Sequence, residues 1–277
     1  MRSVLLLPLV LTAVLWTALY LFAPPPEPPI PAVPPFVTVA EPEVMPEASP
    51  APYVNALVLM GSIAALGTLL VVLLLRFPRA AEILAAVAYF LVTSLSALYL
   101  VASSGLLVQV PDSVALSAIF GVSVAATYAV RRTTGLLAAL SASLTGAMGG
   151  IVVASVIPPV TSIVLLGSFA AFDALMVWKG YLSALRRPEV GERVRGLKGM
   201  VVELDSATVG LGDLLFYSIA VSVAFRHVGP LAAAAVNVAV VAGYYLTIAM
   251  LRRWEQVPGL TVPLGLASVI LIALWFS

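Results

Sequence analysis

The 277-residue sequence contains no cysteine and a single histidine, His227. Without cysteine the chain has no disulfide, no thiol nucleophile and no cysteine-based metal site. One histidine excludes a zinc protease of the HExxH type, which needs two. A hydrolase with a Ser-His pair would depend on His227, and no serine stands in a Gly-x-Ser-x-Gly run. We therefore predict neither a metal nor another cofactor.

Charged residues are also scarce, at 10% of the chain, whereas hydrophobic residues make up 62%. Soluble domains carry about 25% charged residues. This composition predicts an integral membrane protein that is surrounded by the lipid bilayer. The net charge of +1 gives no sign of nucleic-acid binding, and we predict none.

Nine apolar segments are long enough to cross a bilayer, which takes about 20 helical residues. They cover residues 3–23, 53–75, 80–102, 113–130, 135–157, 159–181, 207–225, 229–251 and 257–276. The predicted fold class is therefore an all-α membrane protein with nine transmembrane helices. The first segment could also be a signal peptide, but it lacks a convincing small-residue cleavage site, so we expect a retained helix.

Basic residues indicate the orientation of these helices. With the N-terminus in the cytosol, thirteen of the fourteen Lys and Arg residues lie on the cytosolic side, and only Arg226 lies outside. The C-terminus is then extracytosolic. We expect a single membrane-embedded domain over residues 1–277, with five helices in 1–158 and four in 159–277, located in the plasma membrane.

Three local patterns add detail to this topology. The extracytosolic loop 24–52 is rich in proline, so we expect an extended, solvated tether. The cytosolic loop 182–206 carries five basic residues and contains a β-prone stretch, 200–204. In the fifth span, Gly146 and Gly150 form a small-xxx-small pattern, which predicts close helix packing.

Two carboxylates lie well inside the predicted spans, Asp173 in the sixth and Asp213 in the seventh. Acidic groups in hydrocarbon are costly and mark functional sites by default. At the helical rise, Asp173 lies about 12 Å and Asp213 about 9 Å from the cytosolic ends of their spans. If the two helix faces meet, the carboxylates share one proton. Such a pair can activate water and protonate a peptide carbonyl, as in aspartic proteases.

Two glycines, Gly210 and Gly212, precede Asp213 on either side of Leu211. Without side chains, they would allow a substrate backbone to approach the carboxylate closely. Matched depth alone leaves other functions open. The same two carboxylates could carry protons in a proton-coupled transporter, or form hydrogen bonds in a catalytically inert scaffold.

A third motif at the start of the ninth span narrows these alternatives. The motifs, in chain order, are Phe172-Asp173, Gly210-Leu211-Gly212-Asp213 and Pro258-Gly259-Leu260. Their order and spacing resemble the presenilin and signal peptide peptidase family of intramembrane aspartyl proteases, and the chain resembles a prokaryotic presenilin-like homologue. That family has nine helices, with Tyr-Asp in helix six, GxGD in helix seven and Pro-Ala-Leu opening helix nine. Here Phe172 replaces the tyrosine and Gly259 the alanine.

The resemblance implies an aspartic-type endopeptidase that cuts transmembrane segments of membrane proteins or signal peptides. Asp173 and Asp213 would be catalytic. The substrate contacts would come from Phe172, Gly210, Leu211, Gly212, Pro258, Gly259 and Leu260. The stretch 200–204 would pair as a strand with unwound substrate.

The predicted orientation matches the presenilin branch of the family, so substrates would have their N-terminus outside. No accessory subunit is expected, and the oligomeric state is open. A prepilin-type GxGD peptidase is the alternative with the same chemistry. Such enzymes have fewer helices and cut at the membrane surface, which argues against that assignment.

Overall fold

The structure, a computed structural model, describes residues 2–22, 49–105, 110–179, 197–204, 207–254 and 257–275. Most of the proline-rich loop 24–52 and most of the loop 182–206 lie outside these residues. The extended tether therefore stays a prediction.

Nine α-helices and one β-hairpin make up the described part of the chain. They are α1 (Arg2–Phe22), α2 (Ala51–Arg76), α3 (Pro78–Ser103), α4 (Asp112–Arg132), α5 (Leu136–Val156), α6 (Pro159–Trp178), β1 (Val201–Leu204), β2 (Ala207–Gly210), α7 (Leu211–His227), α8 (Pro230–Leu251) and α9 (Thr261–Trp275). Seven of these helices, α1 to α6 and α8, are long and apolar enough to cross a membrane. The helical membrane fold is confirmed, whereas nine crossings and the orientation of the termini stay predictions.

Two helices begin later than the predicted spans. The predicted seventh span includes residues 207–210, but these residues form β2, and α7 begins at Leu211. The β-branched Thr208 and Val209 favour the extended conformation, and β1 supplies a pairing partner. In the ninth span, helix α9 begins only at Thr261, because Pro258 has no amide hydrogen and Gly259 is a poor helix former.

The hairpin of β1 and β2 is antiparallel, with Val202 opposite Val209 and both side chains buried. The backbone N–H of Leu211 donates to the carbonyl of Met200 at 2.8 Å, which joins the hairpin base to the start of α7. The β-prone stretch is thus confirmed as a strand. Because β2 runs directly into α7, Asp213 is the third residue of the helix.

The chain forms two compact units, each assembled from three separate stretches. The first comprises Met1–Glu27, Leu70–Val152 and Ser183–Ser218, and the second comprises Pro28–Leu69, Val153–Leu182 and Ile219–Ser277. The first unit holds α1, the end of α2, α3, α4, most of α5, the hairpin and the start of α7. The second holds most of α2, the end of α5, α6, α8, α9 and the rest of α7. The predicted single domain stays a prediction.

In the first unit, α3 presents a buried stripe that contacts α5. The hydroxyl of Tyr89 donates to the carbonyl of Ser141 at 2.7 Å, and the hydroxyls of Thr93 and Thr145 lie 2.8 Å apart. These bonds satisfy polar groups that are buried in an apolar environment, where an unpaired group is costly. Helix α3 is therefore held to α5 by directional bonds as well as by packing.

The close packing predicted at Gly146 is confirmed. A Cβ atom added at Gly146 of α5 would lie 2.9 Å from Cβ of Leu214 in α7. One turn along, a Cβ added at Gly149 would lie 3.3 Å from the side chain of Leu215. Helix α5 therefore approaches α7 closely at the residue that follows Asp213.

In the second unit, α9 packs against both α8 and α6. The contact with α8 depends on Gly243, where an added Cβ would lie 2.5 Å from Cα of Pro263 and 2.8 Å from its nitrogen. The obstructing atoms belong to the backbone, which cannot rotate away as a side chain can. Glycine at position 243 thus permits the start of α9 to lie directly on α8.

Candidate active site

Asp173 stands on α6, five residues before the helix ends at Trp178, and its side chain is partly exposed. The preceding residue, Phe172, is 37% exposed and presents its ring at the surface of the second unit. Asp173 is therefore close to the end of its helix, where a carboxylate can reach groups beyond α6.

The carboxylate of Asp173 binds the start of α9. Its Oδ2 atom accepts hydrogen bonds from the backbone N–H of Leu260 at 2.6 Å and of Thr261 at 3.2 Å. The first N–H groups of a helix have no partner inside the helix and carry the positive end of its dipole. Asp173 thus serves as the N-terminal cap of α9, although it lies 87 residues earlier in the chain than Leu260.

Thr261 adds a side-chain link at the same point. Its hydroxyl donates to the carbonyl of Ala170 at 2.9 Å and lies 3.4 Å from Oδ2 of Asp173. Thr261 therefore connects the backbone of α6 to the carboxylate that α6 carries. No role for Thr261 follows from the three sequence motifs. The available signal was a threonine at a helix start with Pro263 two residues later.

The motif Pro258-Gly259-Leu260 contacts Asp173 through its last residue, Leu260. All three residues are partly buried, and they form the turn that precedes α9. Pro258 and Gly259 interrupt the helix, so that the N–H of Leu260 is free to point at the carboxylate rather than into a preceding helical turn. Contact of these residues with substrate stays a prediction.

The second motif lies at the junction of β2 and α7 in the first unit. Asp213 folds back over Gly210: a Cβ added at Gly210 would lie 3.5 Å from Oδ1 of Asp213 and 3.6 Å from its Cγ. At Gly212, an added Cβ would meet nothing within 4 Å. A side chain at position 210 would therefore contact the Asp213 carboxylate, which lies on the first turn of α7 with Leu211 and Gly212.

The acidic groups of these two motifs are the carboxylates of Asp173 and Asp213. Among the residues that the structure describes, no group of three or more His, Asp or Glu side chains could hold a metal ion. Each Asp is partly exposed, Asp173 near the end of α6 and Asp213 in the first turn of α7. A carboxylate that water reaches can act in general acid–base catalysis.

Comparison with known proteins agrees with this fold. No protein-family model and no curated protein matches the sequence. Two solved structures that match are of a presenilin family intramembrane aspartate protease, in space groups C222 and P2. The first is 21% identical, with a TM-score of 0.66 over 98% of this chain and 97% of that chain. The second is 21% identical, with a TM-score of 0.62 over 97% and 95%. The presenilin-like fold predicted from the motifs is confirmed.

Proposed function

We propose that this protein is an intramembrane aspartyl endopeptidase that hydrolyses peptide bonds within transmembrane segments. The observation that carries the proposal is the bond from Leu260 to Asp173, since it links the acidic residue of α6 to the Pro-Gly-Leu element. The presenilin-like fold supports it, because the matching structures are of an intramembrane aspartate protease.

In the proposed mechanism, Asp173 and Asp213 form a dyad that holds one proton. The ionised Asp takes a proton from a water molecule, while the protonated Asp donates to the peptide carbonyl oxygen. Addition of the water oxygen to the carbonyl carbon gives a gem-diol. The Asp that received the water proton then gives it to the amide nitrogen, while the other Asp takes a proton from a gem-diol hydroxyl. The carbon–nitrogen bond breaks, and the dyad again holds one proton.

The bonds at Asp173 suggest how one member of this dyad is oriented. The described donors from Leu260 and Thr261 all meet Oδ2, which leaves Oδ1 as the atom that would face the reacting water. A carboxylate with one oxygen held by backbone donors loses little freedom when substrate binds. We therefore assign Asp173 a fixed orientation and Thr261 the role of a positioning residue.

Substrate binding would use the elements around the two acids. Phe172 and the turn Pro258–Leu260 would contact substrate near Asp173. Gly210, with Leu211 and Gly212 beside it, would admit a substrate backbone to Asp213. The hairpin edge at Val201–Leu204 would pair with unwound substrate, because strand addition satisfies backbone groups that a broken helix exposes.

The proposal includes a topology. All nine helices would cross the plasma membrane, with the N-terminus in the cytosol and the C-terminus outside, as the basic residues predict. Substrates would be single transmembrane segments with their N-terminus outside, and no accessory subunit would be needed. A tag fused to the C-terminus should react with membrane-impermeant reagents in intact cells. Labelling that requires permeabilised cells would contradict this orientation.

The deciding experiment is cleavage of a single-span peptide by the purified protein in lipid. Asp173→Asn and Asp213→Asn should each abolish cleavage, and Asp112→Asn, an exposed residue in the first turn of α4, should leave it unchanged. Equal cleavage by wild type and both dyad variants would overturn the proposal. Proton-driven flux without cleavage would favour the transporter, and cleavage only at the membrane surface would favour the prepilin-type peptidase.

A further inference from the structure

The first unit carries a groove between α3 and α4 that takes no part in the proposed catalysis. It consists of two adjoining cavities of about 560 and 380 Å³, which share Phe90 as a common wall. The larger, which we call the apolar cavity, is lined mainly by apolar side chains such as Leu95, Leu98 and Leu116. The smaller, the basic cavity, is lined by Val87, Val124, Tyr128, Arg131 and Arg132.

The length of the groove matches one leaflet of a bilayer. Along α3, the lining residues run from Ala86 in the basic cavity to Leu98 in the apolar cavity. Twelve residues of helix span about 18 Å. Half of the hydrocarbon core of a bilayer is about 15 Å thick. A single extended lipid tail therefore fits the groove from end to end.

Positive charge is confined to one end of the groove. The Nη1 atom of Arg131 donates to the backbone carbonyl of Glu82 at 2.8 Å, which holds this guanidinium at the end of α4 against α3. Arg132 is exposed beside it. In the part of the chain that the structure describes, neither arginine has an ion pair with a carboxylate. Because a guanidinium has five N–H donors, Arg131 retains donors for a second acceptor.

The distribution of charge and size along the groove favours an amphiphile. Tyr128, which is 65% exposed, lies at the basic end, and tyrosine prefers the boundary between hydrocarbon and headgroups. Phe90 and Phe120 are in edge-to-face contact midway, with ring centroids 5.6 Å apart. Interfaces between transmembrane helices are rich in small residues that allow close approach, whereas large side chains predominate here.

We propose that the α3–α4 groove binds one anionic phospholipid. The phosphate accepts hydrogen bonds from Arg131 and Arg132, and one acyl chain lies along Phe90 and Phe120 into the apolar cavity. Basic pockets between transmembrane helices are typical sites for anionic headgroups. The inference does not depend on the proposed proteolysis, since it rests on the first unit alone.

Native mass spectrometry of the purified protein tests the proposal, with phosphatidylglycerol and phosphatidylcholine of equal chain length as probes. Wild type should retain one phosphatidylglycerol with a preference of roughly tenfold or more over phosphatidylcholine, because two arginines contribute. Arg131→Gln with Arg132→Gln should remove this preference. Arg252→Gln with Arg253→Gln is the matched control, since that pair adjoins a cavity of about 360 Å³ on α8 and should leave the preference intact.

Two further experiments exclude misfolding as the cause of lost binding and exclude a site that recognises only the headgroup. Arg132→Gln alone and Leu116→Trp, which fills the apolar cavity, should each weaken retention in a protein that still elutes as a single species. Excess glycerol phosphate should not displace the lipid, because it lacks the acyl chain. Four outcomes would each overturn the proposal. They are equal binding of both lipids, full displacement by glycerol phosphate, unchanged retention in the double variant, and occupation of the groove by a second copy of the chain.

Discussion

The backbone N–H of Leu260 lies 2.6 Å from Oδ2 of Asp173, so one carboxylate joins the end of α6 to the start of α9. The turn before α9 supplies no side-chain cap of its own, because Pro258, Gly259 and Leu260 carry no side-chain oxygen. Asp173 therefore stabilises the last helix, in addition to the catalytic role that we propose for it. Substitutions at this residue must separate the two effects.

Replacing Asp173 by alanine should lower the thermal midpoint of the protein more than replacing it by asparagine. Alanine leaves the N–H groups of Leu260 and Thr261 without their acceptor, and loss of a helix cap costs about 0.5–2 kcal/mol. The amide oxygen of asparagine can still accept both bonds. Thermal unfolding in detergent measures the difference. Midpoints equal to that of wild type in both variants would mean that the cap contributes nothing to stability.

Thr261→Val should reduce kcat for peptide cleavage, while Thr261→Ser should retain it. Valine keeps the shape of threonine but loses the hydroxyl that donates to Ala170 and lies beside Asp173. A hydrogen bond contributes about 0.5–1.5 kcal/mol, which corresponds to a loss in rate of roughly two- to thirteenfold. The effect should fall on kcat rather than on KM, because the residue positions Asp173. A change confined to KM would instead assign Thr261 to substrate binding.

Gly146→Ala should destabilise the first unit and reduce cleavage. The added methyl would lie 2.9 Å from Cβ of Leu214, so α5 and α7 must separate next to Asp213. Overpacking of this kind costs about 1–3 kcal/mol. Gly121→Ala on α4 is the control, because a Cβ there meets nothing within 4 Å. If both variants behave like wild type in thermal unfolding and in cleavage, the contact at Gly146 does not set the position of α7.

Gly243→Ala should have a larger effect than Gly146→Ala, since its methyl would collide with backbone atoms of Pro263 at 2.5 and 2.8 Å. Helix α9 must then move away from α8, which disturbs the bonds between α9 and Asp173. Gly265→Ala, on the same helix as Pro263 but with nothing within 4 Å, is the matched variant. Expression level and thermal midpoint provide the measurement, and a fully stable Gly243→Ala protein would contradict the packing described for α9.

Much of the fold can be predicted from the sequence, because a segment that crosses the bilayer must satisfy its backbone hydrogen bonds internally. Segments without charge that approach 20 residues must be helices in a membrane, so the bounds of α2 to α5 fall within two residues of the predicted spans. The rule fails at Ala207–Gly210, where an apolar stretch that was assigned to a span forms a strand with Val201–Leu204. Hydropathy alone cannot distinguish these states, because both bury apolar side chains.

The candidate site can be predicted only in part from the sequence, for a different reason. The motifs around Asp173 and Asp213 stand out because acids and glycines are conspicuous in apolar segments. The bond from Thr261 to Ala170 and the contact of Gly243 with Pro263 depend on which helix faces meet. A threonine or glycine in an apolar helix has no local pattern that names its partner, so these roles emerge only from the packing.

The interleaved make-up of the two units has a consequence for synthesis of the protein. Residues 28–69 belong to the same unit as residues 219–277, and the whole of residues 70–218 is translated between them. At about 5–20 residues per second, that interval lasts roughly 7 to 30 seconds. During this time residues 51–69 of α2 have been made, whereas α8 and α9 of the same unit have not. A ribosome stalled before residue 219 would therefore hold a chain in which neither α8 nor α9 exists and the second unit cannot close.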